Sequence, residues 1–277
     1  MKATGFRTVG IGLMVFAVFW LLVTLYPLFF TLLSSFKNNT EIFTSPMALP
    51  AQLRVENYAR ALQNVRIARN IVNSLFLAAV SVVTLLFLVS LCAFVLARIE
   101  RRWTRIVSLI ILSGFLLPVH SALIPLTRLV ASLEGFNNYL MLIVLFVSYN
   151  APLSIFLVTG YVRGIPKELD AAAFIDGCGY FRYVVHVIIP VSKPILATAG
   201  IVAFLFIYND LIFSMLFLSR PNLYTVSMGL NAFFAERSVA YGPVFASIVL
   251  TSAPIIAIYL LFQEQVQRGV TGGAVKG

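Results

Sequence analysis

Few side chains in the apolar stretches of this sequence could carry chemistry. Asp210 is the only acid inside a long apolar run, and His120 lies inside another run. A charge in an apolar medium costs at least about 3 kcal/mol unless it faces a cavity or a partner. Asp210, with adjacent Tyr208 and Asn209, is therefore a candidate to line a polar path or to contact another subunit. A structural hydrogen bond between helices is an equal alternative for Asp210 and the favoured interpretation for His120.

These residues form no catalytic or nucleotide-binding pattern. Two histidines and two distant cysteines offer no metal-ligand cluster, and no nucleophile is accompanied by an evident base. No Gly-x-x-x-x-Gly-Lys-Ser/Thr string occurs, so the chain lacks the loop that holds nucleotide phosphates. A membrane-embedded enzyme is thus a disfavoured alternative, and we predict no cofactor and no metal in this chain.

The polar interval 162–194 contains the second group of candidate residues. Pro166 precedes Glu168 and Asp170, and proline in the first turn with acids near the positive end of the helix dipole predicts a helix start. This helix should run to about Asp176. Gly177 and a second glycine two positions later suit a sharp reversal of the chain.

A second short helix should follow this reversal. Aromatic residues from position 180 begin it, and Pro190 and Pro194 close the unit. Within the first helix, the run Ala171, Ala172 and Ala173 offers small side chains where another protein surface could approach closely. The alternative is that alanines are simply good helix formers.

The elements that must position these candidate residues are long stretches of the chain without charged side chains. The chain of 277 residues is 60% hydrophobic and 11% charged, with a mean hydropathy of +0.96, whereas soluble domains are about a quarter charged. Each run exceeds the roughly 20 residues that cross a hydrocarbon core as a helix. We predict one all-α integral membrane domain over 1–277 whose six spans cover about 9–36, 71–97, 106–128, 138–161, 195–219 and 240–263.

The distribution of Lys and Arg predicts the orientation of these spans. Four arginines fall between Arg98 and Arg105, and short cytoplasmic loops retain basic residues. Both termini are therefore predicted inside, with an extracytoplasmic arm at 37–69 and a cytoplasmic helix-turn-helix loop at 162–194. The net charge of +10 does not indicate nucleic-acid binding, because the basic residues sit at helix ends. Pro118 and Pro125 predict kinks in the third span.

The string ELDAAAFIDGCGYFRYVVHVIIPVSKP resembles the cytoplasmic EAA loop of binding-protein-dependent importer permeases. Ala172 and Ala173 match the alanine pair of that loop, and Asp176 with Gly177 matches its Asp-Gly pair. Pro190 matches the proline of the next element. Further matches resemble the second, smaller permease of the carbohydrate-uptake branch, of the maltose-transporter type: Pro27, Ser35-Phe36-Lys37, Glu56-Asn57-Tyr58, Asn73-Ser74, Ala97-Arg98 and Gly273–Gly277.

The resemblance implies a permease subunit of an ATP-driven sugar importer in a bacterial plasma (inner) membrane. Its implied partners are a different permease in a heterodimer, two ATPase subunits that bind ATP and Mg, and an extracytoplasmic sugar-binding protein. The implied ATPase-coupling residues are Glu168, Asp170, Ala172, Ala173, Asp176, Gly177 and Pro190. Tyr208, Asn209, Asp210 and His120 are then candidates for the translocation path or the permease interface.

One position departs from the family pattern. The loop glutamate that the family is expected to direct at a basic residue of the ATPase falls at Ala171 here. Asp170 and Glu168 are the nearby acids, but one step along a helix turns a side chain by about 100°, so neither is an automatic replacement.

A proton- or sodium-coupled carrier is a second alternative to an importer permease. The lack of paired repeats with broken helices in the sequence disfavours it.

Overall fold

The computed structural model describes residues 3–64, 66–116, 118–235 and 239–274. Helices occupy most of these residues, and no strand occurs among them. The first seven helices are α1 (Ala3–Ser34), α2 (Asn39–Thr44), α3 (Glu56–Asn64), α4 (Ile67–Arg98), α5 (Arg102–Leu116), α6 (Val119–Ser132) and α7 (Tyr139–Arg163). The remaining seven are α8 (Glu168–Ile175), α9 (Tyr180–Tyr183), α10 (Ile189–Val191), α11 (Lys193–Tyr208), α12 (Ile212–Phe217), α13 (Val226–Ala232) and α14 (Tyr241–Ala274). The all-α fold predicted from the sequence is confirmed.

Four described helices are long and apolar enough to cross a membrane: Gly12–Ser34, Ile67–Arg98, Tyr139–Arg163 and Tyr241–Glu264. Two bent helix pairs raise the number to six if each pair forms one span. The predicted six spans correspond to that upper number. Lys2 and Lys276, basic residues close to the two termini that are predicted inside, lie outside the described residues, as do the last residues of the Gly273–Gly277 match.

The third predicted span, 106–128, is not one helix. The axes of α5 and α6 differ by 101°, and Pro118 between them has extended backbone angles, with φ −66° and ψ 128°. A proline has no N–H to continue the helical ladder and its ring disfavours a helical preceding residue. Pro125, the other predicted kink, lies inside α6 without a break.

The fifth predicted span, 195–219, is also interrupted. α11 ends at Tyr208 and a separate helix, α12, begins at Ile212. Residues 180–191 and α11 form the other bent pair, with an angle of 81° between them. The sequence prediction missed the break after Tyr208 because the apolar run continues through it, and hydropathy alone cannot distinguish one helix from two.

The described chain divides into two compact units. The first comprises described parts of residues 1–68 and 229–253, and the second described parts of 69–228 and 254–277. In the first unit the predicted arm at 37–69 ends in a short helix, α3, that stops before the following membrane helix. α3 ends at Asn64, Arg66 adopts a left-handed φ of 52°, and α4 already begins at Ile67. A left-handed residue cannot continue a right-handed helix.

Buried polar contacts fix the segment that follows α1. Lys37 is fully buried, and its Nζ donates to the carbonyl oxygens of Ser45 and Pro46 at 2.9 Å each. Asn57 Nδ2 donates to the carbonyl oxygens of Ser35 at 2.9 Å and Lys37 at 3.0 Å. Because each buried donor has carbonyl acceptors, the arm has a defined conformation rather than an extended one.

In the second unit α7 is the central helix. It packs on α5, α11 and α12, and its buried residues include Leu142, Phe146 and Val158. α11 approaches α4 closely at Gly200, where an added Cβ would lie 3.1 Å from Leu86 Cδ1. Small residues allow helix backbones to come together in this way. This core carries both groups of candidate residues.

Gly242→Ala tests the packing of the arm. An added Cβ would lie 2.5 Å from Asn57 Nδ2 and 2.6 Å from the backbone oxygen of Lys37, and the backbone oxygen cannot rotate away. We expect the free energy of unfolding to fall by about 1–3 kcal/mol, measured by thermal unfolding of the purified chain in detergent. Gly12→Ala is the control, because its Cβ would meet nothing within 4 Å. Equal melting temperatures for the two variants would contradict this packing.

Candidate functional site

The polar loop between α7 and α11 turns at one glycine. α8 ends at Ile175, and Gly177 adopts a left-handed φ of +73°. Backbone N–H groups of Asp176, Gly177 and Cys178 bond back to carbonyl oxygens of α8, which closes the helix. Gly179 has an ordinary φ of −71° and precedes α9. Of these two glycines, only Gly177 is required for the chain reversal, because a side chain is strained at its positive φ but not at the negative φ of Gly179.

Asp170 joins this loop to the end of α4. Its Oδ2 lies 2.7 Å from Nε of Arg98, and the side chains are 18% and 7% exposed. Tyr183 donates its hydroxyl hydrogen to Asp170 Oδ1, and Arg98 Nη2 donates to the carbonyl oxygen of Ile165 at 3.0 Å. Both carboxylate oxygens of Asp170 are thus occupied within the chain, and Arg98 has its counter-charge there.

Aromatic packing surrounds this ion pair. Tyr183 is fully buried and contacts the rings of Phe94 at 5.7 Å and Phe174 at 5.4 Å between centroids. Burial, followed by the hydrogen bond to Asp170, raises the pKa of Tyr183 to about 12. The phenol therefore stays protonated and keeps donating to the carboxylate at neutral pH.

A second contact at the same end is weaker. Lys167 Nζ lies 2.8 Å from Glu100 Oε1, and both side chains are mostly exposed. Its hydrogen bond to Lys167 lowers the pKa of Glu100. Exposed pairs of this kind contribute little stability. The buried Arg98–Asp170 pair, rather than this one, holds the loop against α4.

The opposite face of α8 is exposed. Glu168, Ala171, Ala172 and Ile175 are exposed and follow the i, i+3, i+4, i+7 spacing of one helical stripe. Ile175 is 85% exposed and adds a large apolar side chain to this face. We call these four residues the α8 stripe.

The predicted coupling residues divide between the two faces of α8. Glu168 and Ala172 belong to the α8 stripe, and Asp176 is exposed at the helix end. Asp170 lies on the inner face, and Ala173 is half-buried. Pro190 is exposed in α10. Sequence reasoning missed Arg98 as the partner of Asp170 and Ile175 as part of the stripe; only the i, i+4, i+7 spacing could have indicated Ile175.

Two of the candidate residues for the translocation path, Asn209 and Asp210, line a cavity of about 650 Å³ between α7 and the break in the fifth predicted span. This volume is within the usual range of ligand pockets, about 300–1,000 Å³. Its polar lining residues are Tyr149, Asn150, Asn209 and Asp210, and the other walls are apolar. Tyr208 and His120 do not line it: Tyr208 is buried against Phe204, and His120 is exposed.

Asp210 occupies the break itself. Its carboxylate accepts hydrogen bonds from the backbone N–H of Phe213 at 3.3 Å and from both N–H and Oγ of Ser214 at 2.9 Å each. These donors lie in the first turn of α12, so Asp210 caps that helix. The sequence left open a structural hydrogen bond from Asp210 to another helix. The contacts of its carboxylate given above are all to the first turn of α12. The charge is instead held by the helix start beside the cavity.

Sequence reasoning missed Tyr149 and Asn150. Asn150 is buried and its Nδ2 donates to the carbonyl oxygen of Phe146 at 2.8 Å. The signal was available, because the dipeptide Tyr-Asn occurs at 149–150 on α7 and again at 208–209 at the end of α11. One asparagine from each dipeptide lines the cavity.

Long apolar helices, a cavity at a capped helix break and a polar loop with one exposed face define a multi-pass membrane protein. The family model described as "Binding-protein-dependent transport system inner membrane component" matches residues 89–272. This match covers the C-terminal end of α4, the whole loop and all residues that line the cavity. The chain belongs to this family of permeases.

Individual relatives match over nearly the full length. The chain is 33% identical over 263 residues to the probable ABC transporter permease protein YurM of Bacillus subtilis (strain 168), covering 95% of this chain and 87% of the relative. It is 29% identical to the diacetylchitobiose uptake system permease protein NgcG of Streptomyces coelicolor, covering 94% and 86% of the two chains.

A solved structure shares the fold. The crystal structure of a bacterial ABC transporter involved in the import of the acidic polysaccharide alginate contains a chain that superposes with a TM-score of 0.82. The match covers 95% of this chain and 98% of that chain, at 21% sequence identity. The arrangement of helices described above is therefore shared with that chain.

Asp170→Asn tests the attachment of the loop to α4. Removing the carboxylate charge leaves Arg98 largely buried without its counter-ion, which lowers the free energy of unfolding by up to about 3 kcal/mol. Thermal unfolding in detergent measures the loss. Glu168→Gln removes the same charge from the exposed face and should leave the melting temperature unchanged. If both variants melt alike, the pair does not hold the loop.

Asp210→Ala tests the cap on α12. We expect a loss of about 1 kcal/mol in the free energy of unfolding, because the first turn loses its acceptors, whereas Asp210→Asn should retain most of the stability since asparagine caps about as well. Circular dichroism during thermal unfolding measures both. An Asp210→Asn variant as unstable as Asp210→Ala would show that the charge, and not the cap, is what the site requires.

Proposed function

We propose that this chain is the permease subunit of an ATP-driven carbohydrate importer. The observation that carries this proposal is the family match over residues 89–272, which includes both the cavity and the loop. The substrate class is supported by the similarity to a permease named for diacetylchitobiose uptake, over 94% of this chain. The polar groups of Asn150, Asn209 and Asp210 within an otherwise apolar cavity suit a ligand with many hydroxyl groups.

The chain works within a larger assembly in this proposal. A second, different permease completes the translocation path, two ATPase subunits bind and hydrolyse ATP with Mg, and an extracytoplasmic binding protein delivers the sugar. The lack of a phosphate-binding loop in the sequence supports the assignment of hydrolysis to partners. Arginines concentrated at 98–105 support a bacterial plasma (inner) membrane location with this loop and both termini in the cytoplasm.

The α8 stripe is the surface that meets the ATPase in this mechanism. Glu168 is its acid, because both oxygens of Asp170 are already engaged by Arg98 and Tyr183. Ala171, at the position of the family glutamate, contributes a small contact instead of a charge, and Ile175 adds an apolar contact. The docking surface is therefore more apolar than the family pattern implies.

Movement passes from the ATPase to the cavity through two connections. Asp170 links α8 to α4 through Arg98. α11 continues directly from the loop into the core, where its residues Leu205 and Phe206 line the cavity. A displacement of α8 therefore shifts both helices. The break after Tyr208 lets α12 change its position relative to α11 without unwinding either helix.

Reconstitution of the complete importer in vesicles tests the function. We expect sugar uptake that requires ATP and persists when an uncoupler removes the ion gradients. Gly177→Val should insert normally but lose most of its ATPase association and uptake, because valine is strained at a φ of +73° and the loop cannot keep its reversal. Gly179→Val is the matched control, since its φ of −71° accommodates any residue.

Two results would count against the proposal. Uptake that continues without ATP but stops with the uncoupler would indicate an ion-coupled carrier. Full transport by Gly177→Val would show that the loop geometry does not couple the permease to its ATPase. Pull-down of the ATPase subunits measures assembly separately from transport, so a folding defect is distinguished from a coupling defect.

A further inference from the structure

A narrow groove separates α5 from α7 on the side of the arginine-rich loop. The two helices approach at Gly114, where an added Cβ would lie 3.7 Å from Pro152 Cγ. Beyond this point they enclose a groove of about 120 Å³ that ends at Arg163. Its walls are mostly apolar, including Ile111, Leu112 and Ile155. Phe156 lines it and is 56% exposed, so the groove opens to the outside of the described chain.

One buried hydroxyl in this groove has no partner. Thr159 is 7% exposed, and its Oγ1 has no hydrogen bond within the described chain. Other helical hydroxyls here do bond to the carbonyl one turn earlier: Ser108 to Thr104, Thr127 to Leu123 and Ser148 to Val144. A buried donor without an acceptor costs about 1–3 kcal/mol. Thr159 is therefore a donor that a bound molecule could satisfy.

Positive charge collects at the end of the groove. Arg163 is exposed, and its guanidinium makes one long hydrogen bond, 3.4 Å from Nη2 to the carbonyl oxygen of Leu96. Arg105 is exposed one turn before Ser108, which lines the groove, so both lie on the same face of α5. The neighbouring acid Glu100 is already paired with Lys167. Among the described residues, neither Arg105 nor Arg163 forms a salt bridge, so the end of the groove presents two unpaired cations there.

We infer that this groove binds one anionic glycerophospholipid. The phosphate lies between Arg163 and Arg105, the first methylene groups of an acyl chain lie in the apolar groove, and a glycerol ester carbonyl accepts from Thr159 Oγ1. Thr159 and Arg163 are four residues apart on α7, about 6 Å along the helix axis, so the hydroxyl lies just below the phosphate level. Basic pockets between membrane helices are recognised sites for anionic head groups. This inference goes beyond the proposed transport function and does not depend on it.

Native mass spectrometry of the purified full chain tests the site. The chain is reconstituted with equal amounts of phosphatidylglycerol and phosphatidylcholine, and the retained lipid is counted. The wild type should keep one phosphatidylglycerol in preference, and Arg163→Ala should weaken this retention about fivefold, the effect of one basic residue near an anionic lipid. Arg182→Ala removes an equal charge from an exposed position on α9 outside the groove and should have no such effect. Equal losses for the two variants overturn the site in favour of general charge attraction.

Thr159→Val tests the hydroxyl without changing the charge. The wild type should retain ester-linked phosphatidylglycerol more strongly than its ether-linked analogue, which lacks the carbonyl acceptor, and the variant should retain both alike. An unchanged ester preference in Thr159→Val overturns the contact. In the assembled importer, a photoreactive phenylalanine at position 156 should crosslink to lipid. A crosslink to the second permease instead would show that a protein helix fills the groove.

Discussion

The absence of water in a hydrocarbon core is the constraint on which the rest of this structure depends. Backbone N–H and C=O groups there must find partners within the protein, so the long apolar runs become helices. Every interruption of a helix then needs a local replacement for the lost hydrogen bonds. At the break after Tyr208 the replacement is Asp210, whose carboxylate accepts from the first turn of α12. A charge in an apolar run is thus explained by the helix end that it satisfies.

This capped break also accounts for the position of the cavity. Where α11 stops and α12 begins, the space beside α7 is lined by one asparagine from α7 and one from the break. The break at Pro118 has a different physical origin, because proline interrupts the ladder without supplying a new acceptor. Both interruptions lie within predicted spans.

The loop between α7 and α11 is organised by one buried ion pair. Arg98 and Asp170 fix which face of α8 is internal, and this choice exposes Glu168, Ala171, Ala172 and Ile175 on the other face. Because Ala171 replaces the family glutamate, the nearest acid is Asp170, and its carboxylate is already bound to Arg98. The exposed surface of α8 therefore consists of small and apolar side chains, with Glu168 as the acid at one end.

The sequence by itself determined the class of this protein. Charge-free runs longer than a bilayer crossing, the arginines between 98 and 105, and the Asp-Gly and proline spacing of the loop were sufficient for the all-α membrane fold and the family, because hydropathy and short-range motifs are local properties. The tertiary structure alone decided where helices break, which acid faces inward and which residues line the cavity. Arg98 and Asp170 are far apart in the sequence, as are Asn150 and Asn209. Contacts between such residues depend on how helices pack, and one sequence contains no local signal for that.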